Sequence, residues 1–262
     1  RSENMNFFSS FTHAVEDFVH EDHQSNNSGG KGDHEEEGLF GKLMDKLGLD
    51  KIIEGLKEAL TTSATRAVEQ TGKENGFLSN DAIKLLLPQE LQTVASVARS
   101  FGLDQHVDDL QVSLNRAAEQ SASTAAPVFM DAIFDMSFDD VKAIWQGTDR
   151  TAATSYLKRT CHGTLKERFL PIVEQALHSN FVGAHYEKFQ AAAQGLPLIG
   201  DMFKVDLREY TVTRALDGLF HVMGEKEREI RGDPAARETP LLRELFESPR
   251  DMERGLDRGL DL

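Results

Sequence analysis

Asn115, Arg116 and Glu119 place an amide, a guanidinium and a carboxylate within about one helical turn of each other. Asn115 and Glu119 are four apart and flank an apolar line through Leu114 and Ala117. Late in the chain Arg214 and Asp217 form a similar flank beside Leu216. If the two flanks face each other, these five residues make either a buried ion-pair network or a polar ligand patch. Arg–carboxylate pairs are common ties between helices. The structural tie is therefore the first expectation and the ligand patch the second.

Other reactive side chains offer less. Cys161 follows Leu157 on an apolar stripe, and a lone cysteine in that setting behaves as a small buried hydrophobe. Its neighbour His162 points elsewhere on a helix. A di-metal carboxylate site in a bundle needs Glu-x-x-His on two helices, whereas Glu16 with His20 and Glu174 with His178 are four apart. His20, His23 and His34 stand among acids in a polar stretch and read as solvated. Asp131 and Asp135, with Asp139 and Asp140 beyond, read as a solvent-facing helix end rather than a cation site. Glu227 and Arg231 are ordered for an i,i+4 pair in an alternating-charge run that reads as a solvated helix end. The chain lacks a lysine-bearing phosphate loop, a Gly-x-Ser-x-Gly elbow and a His-Glu-x-x-His pair. No catalytic, metal-binding or cofactor-binding residue is assigned, and no cofactor is expected.

Helices must position these groups. Phe7, Phe8, Phe11, Val15, Phe18 and Val19 form one short amphipathic pattern at the start. Residues 20–38 contain no hydrophobic side chain, so they have nothing to bury against the entropy of ordering and read as a disordered acidic linker. From Leu39 onward apolar stripes recur at helical steps. They run through Ile53, Leu56, Leu60, Ala64 and Ala67, then Leu87, Leu91, Val94, Ala98 and Phe101. Leu103, Val107, Leu110, Leu114 and Ala117 follow, and later Val212, Leu216, Leu219, Met223 and Ile230. Gly102 is a helix stop. Ser137, Asp206 and Thr239 are N-caps, and Pro88 opens the helix at Gln89. Pro127 and Pro171 should break or kink their helices. No alternating strand pattern competes. The reading is an all-α multi-helix bundle of nine or ten helices with short connections. It comprises a Phe-rich helix (1–19), the linker (20–38), a helical domain (39–247) and a polar tail (248–262).

Four ordered segments carry a resemblance. They are Gly76-Phe77-Leu78 leading to Leu87-Pro88, Asn115-Arg116-Ala117-Ala118-Glu119, Arg214 through Phe220, and Asp233-Pro234-Ala235-Ala236-Arg237. Over about residues 52–246 the chain resembles domain-of-unknown-function family 4197, found in bacteria and some eukaryotes. The resemblance implies an all-helical domain, often exported in bacterial members, and no established activity.

Composition narrows the functions. The 262 residues carry a formal charge of −15, which argues against nucleic acid as partner because phosphate binding needs clustered Lys and Arg. One cysteine rules out an internal disulfide framework. No stretch of about 18 apolar residues is present to span a bilayer. The opening Arg1 reads as a processed product or a fragment, so export stays open and the compartment unassigned. These features favour a non-enzymatic helical binding or scaffold domain, with residues 4–19 as the element for a protein partner or self-association. The alternative is a small-molecule carrier with a cavity lined by Phe129, Phe134, Trp145 and Phe169. An enzyme using Asp, Glu, Arg and His at the polar flanks is third.

Overall fold

The three-and-four spacing of apolar residues becomes helix throughout a computed structural model, which describes residues 48–146, 149–179 and 205–246. In order the elements are α1 (Leu49–Gly72), α2 (Gln89–Ser100), α3 (Asp104–Ala122), α4 (Ala126–Phe134), α5 (Phe138–Gln146), α6 (Ala152–Ser179) and α7 (Leu207–Gly232). A one-turn 3₁₀ segment (Pro234–Ala236) and a short α8 (Pro240–Leu245) follow. Among the described residues the fold is all-helical with no strand. The Phe-rich helix, the acidic linker, residues 39–47 and the C-terminal tail lie outside the described residues. The chain divides into two units, 1–54 and 55–262. Of the first, only the opening turns of α1 are described, where Ile52 N–H donates to the Gly48 carbonyl at 3.4 Å.

Seven described helices have nine residues or more, which corrects the expected nine or ten. Part of the reason lies at Pro171, which does not end its helix: α6 continues to Ser179. A proline inside a helix removes a hydrogen bond and costs about 3 kcal/mol. Against this, Leu157, Cys161, Leu165 and Phe169 before the proline and Val173 and Ala176 after it are all buried in one continuous stripe. Fully burying one such large apolar side chain is worth roughly 1.5–3 kcal/mol, so the stripe outweighs the break. Pro127, by contrast, sits in the first turn of α4, after the chain has left α3 at Ala122.

The long helices α3, α6 and α7 pack on one another, with α4 and α5 against α6 and α2 against α3. Phe129 and Phe220 meet edge to face at 5.8 Å between α4 and α7. The expected caps are present: Asp206 accepts from Arg208 N–H and Glu209 N–H, Thr239 from Leu242 N–H, and Ser137 and Asp140 bond reciprocally. The α2 stripe is buried except at its end. Phe101 is 66% exposed, because α2 stops at Ser100. The N–H groups of Gly102 and Leu103 turn back onto the Arg99 and Ala98 carbonyls, swinging Phe101 off the helical face.

The solvated reading of Glu227 is also corrected. This carboxylate on α7 is 5% exposed and caps the start of α6. It accepts from Ala153 N–H at 3.1 Å and from the N–H and hydroxyl of Thr154, each at 2.7 Å. Arg231 completes the arrangement, donating Nε–H at 2.9 Å. A negative group at a helix N-terminus satisfies its unpaired N–H groups and complements its dipole.

Between α1 and α2 the chain dips inward, and Phe77 is completely buried. Its ring lies against Gly218 of α7, where a Cβ would stand only 2.4 Å from Cε1 of Phe77. Gly218→Ala is expected to lower stability by about 1–3 kcal/mol in a denaturant titration, because a close-packed seat has no room for a methyl. An unchanged midpoint would mean that the ring moves freely.

Candidate functional site

The segment 73–88 joining α1 to α2 turns at Asn75, whose φ is +66°, and enters the interior at Gly76. A Cβ on Gly76 would lie 2.3 Å from the Gln70 carbonyl oxygen, so only glycine fits this close passage. Phe77, Ile83, Leu85 and Leu87 then point into the core. A connection driven inward by four apolar side chains carries its peptide groups with it, and those groups need partners.

Asn115 and Glu119 of α3 supply them. Glu119 is 3% exposed, and its Oε1 accepts from both Phe77 N–H and Leu78 N–H at 3.1 Å. Asn115 is fully buried and pairs with Leu85 as another strand would. Its Oδ1 accepts from Leu85 N–H at 2.9 Å, and its Nδ2 donates to the Leu85 carbonyl at 2.8 Å and to Gln111 O at 2.8 Å. Arg116 closes the arrangement from the solvent side. It donates to Glu119 Oε2 at 2.6 Å, to Asn75 Oδ1 at 2.9 Å and to Glu74 at 3.3 Å. One helical turn of α3 thus clasps the connection at both ends.

The second expected flank does not face the first. Asp217 is exposed and pairs with Lys158 of α6 at 3.4 Å. Arg214 is exposed as well and reaches the clasped connection indirectly. Its positive charge acts on the phenol of Tyr210, whose hydroxyl donates to the Leu86 carbonyl at 2.7 Å. Burial pushes the Tyr210 phenol above its ordinary range, so it stays a donor. The five residues therefore divide into three that hold the connection directly, one that helps through a tyrosine and one that ties α7 to α6.

On its outer side the same connection lines an open polar groove of about 880 Å³. It is lined by Arg66, Glu69 and Gln70 of α1, Lys73 to Gly76 and Ser79 to Asp81 of the connection, and Lys226 of α7. Apart from Gly76, which belongs to the first segment of the family resemblance, these residues carried no sequence signal. Gly76 is buried and the others are ordinary polar residues, and only the inward fold of the connection brings them together. Elsewhere Cys161 is buried and contacts the Val128 carbonyl at 3.9 Å. Burial pushes its thiol up to about 11, which keeps it protonated and unreactive at neutral pH. Asp131, Asp135 and Asp139 are exposed, and the described residues hold no group of three His, Cys, Asp or Glu side chains suited to a metal ion.

The clasp predicts a graded response. Asn115→Leu leaves the Leu85 N–H and carbonyl buried without partners, and should cost about 2–4 kcal/mol and speed amide exchange at Leu85. Arg116→Ala takes the counter-charge from the buried Glu119 carboxylate, which keeps its two backbone N–H donors, and should cost about 1–2 kcal/mol, lowering the melting temperature more than it alters binding. Wild-type melting and exchange in Asn115→Leu would overturn the clasp.

Residues 46–247 match the family model described as a protein of unknown function, DUF4197. No curated protein and no solved structure shows significant similarity to the chain. The match spans every described helix, including both sides of the clasp and the seat of Phe77 on α7. The chain belongs to the DUF4197 family.

Proposed function

We propose that the domain is a non-enzymatic binding or scaffold module, and that its presenting surface is the outer side of the 73–81 segment. The supporting observation is the double role of that segment: Asn115 and Glu119 lock its inner side while its outer side lines the open groove. A surface fixed before binding loses little conformational freedom when a partner arrives. The buried carboxylate of Glu119 already accepts two backbone N–H groups and a guanidinium. Moving a proton with it would require breaking those bonds, so an enzymatic role for this set is disfavoured.

The carrier reading draws no support from its four aromatic residues. Phe129 and Phe169 are completely buried in the packed core, and Phe134 is 47% exposed. Trp145 stacks on Phe246 at 6.0 Å.

A photo-cross-linking residue in place of Ser79, on the groove, should capture a discrete adduct in cells of the protein's source. The same residue in place of Ser96, on the exposed side of α2, should not. Equal labelling from both positions, or none from Ser79, would sink the groove as the presenting surface. Residues 4–19 are proposed as a separate association element. Deleting residues 1–38 should leave the body folded, with its cooperative melting by circular dichroism retained, and change the oligomeric state by light scattering or partner capture by pull-down; identical behaviour in both removes that element from the reading.

A further inference from the structure

Charge distinguishes the ligands that could occupy the groove. Its lining holds three cations, Arg66, Lys73 and Lys226, and three carboxylates, Glu69, Glu74 and Asp81. Two of the cations are already held: Arg66 by Glu238, and Lys226 by Glu229 at 3.0 Å. Glu74 is held in turn by Arg116, which also binds Glu119. The lining and its ion partners together carry four cations against six carboxylates. The C-terminus of α1 opens here too, with no basic residue in its last turn to offset its partial negative charge. Lys73 lies just beyond the end of α1, and among the described residues neither Glu69 nor Asp81 forms an ion pair. An anionic ligand would meet the unpaired carboxylates of Glu69 and Asp81 with Lys73 alone against them, since Arg66, Lys226 and Glu74 are already paired among the described residues.

Hydrogen-bonding capacity narrows the class further. Asn75 uses its Oδ1 to accept from Arg116, and Asn80 uses its Oδ1 to accept from Ala82 N–H at 3.1 Å. Each amide Nδ2 remains as a donor on the groove, beside the Ser79 hydroxyl and the Gln70 amide. Donors fixed beside carboxylates suit a chain that alternates carbonyl oxygens with cationic side chains. A polyamine supplies the cations but has no carbonyl for the asparagines. The volume falls within the range that encloses small ligands and short peptides.

From this juxtaposition we propose that the groove binds an extended peptide segment bearing two arginine or lysine side chains. Asp81 and Glu69 receive the cations, and Asn75 and Asn80 donate to the peptide carbonyls. The assignment rests on the binding-module reading above and names its partner class.

The test uses the full chain, titrated with three probes at about 0.15 M salt, where long-range attraction between exposed charges is screened. They are an N-acetylated, C-amidated Gly-Arg-Gly-Arg-Gly, the corresponding Gly-Glu-Gly-Glu-Gly, and spermidine. Calorimetry reads affinity, and amide chemical shifts read location. The arginine peptide should shift residues 69–81, and the double substitution Glu69→Gln with Asp81→Asn should weaken it about tenfold at unchanged melting temperature. Asn80→Ala should weaken the peptide and leave spermidine unaffected. An equal response to the glutamate peptide at these residues overturns the basic-peptide assignment while preserving the groove as a binding surface. Spermidine binding as tight as the peptide's, with Asn80→Ala inert toward both, overturns the peptide in favour of a simple polycation. Undisturbed amides at 69–81 with every probe overturn both the assignment and the groove.

Discussion

A buried peptide N–H must find an acceptor, and where the α1–α2 connection turns inward one carboxylate, that of Glu119, supplies it for two of them. The inward path of the α1–α2 connection follows from it. Phe77 and Leu85 gain by leaving water, but their peptide groups would oppose burial by about 1–3 kcal/mol each if left unpaired. Glu119 and Asn115 remove that opposition at the two ends of the segment. With the segment held, Phe77 can occupy its seat on Gly218, and α1, α3 and α7 are joined through one aromatic ring and one carboxylate.

The same solution recurs at the other ends of the long helices. Glu227 satisfies the first N–H groups of α6 across the α6–α7 contact. Arg237 satisfies the last carbonyls of α7, donating from Nε to Ile230 O and from Nη2 to Arg231 O, each at 3.0 Å. Asp233 caps the 3₁₀ turn that delivers Arg237 to that position. The ring of Phe246 then lies within 6 Å of both the Arg231 and the Arg237 guanidinium, a favourable cation–π arrangement. Buried charge here ends and joins helices, and each such group is matched to an unpaired peptide group or an opposite charge.

Periodicity revealed the helices because burial of a stripe is a local, repetitive property, and it revealed the caps because capping is settled within three or four residues. It also singled out Asn115, Arg116 and Glu119, since polar residues beside an apolar line must be accommodated somehow. Their partners were not legible. The Leu85 and Phe77 peptide groups have no signature in side-chain type, and the separation of Arg214 from Asp217 depends on how α7 is rotated. Glu227 was misread for a related reason: an alternating-charge run looks the same whether or not another helix begins against it. The groove was invisible because it is a by-product of the clasp.

The Phe77–Gly218 seat has a consequence for how the domain can be divided. The ring comes from the first third of the chain and its seat from the last third, while the clasp that steers the ring comes from between them. Neither half, cut at the α5–α6 junction, contains both the ring and its seat. Three segments far apart in the sequence, around Phe77, Asn115 to Glu119 and Gly218, thus meet in one closure, which a string of exchangeable helical hairpins would not have.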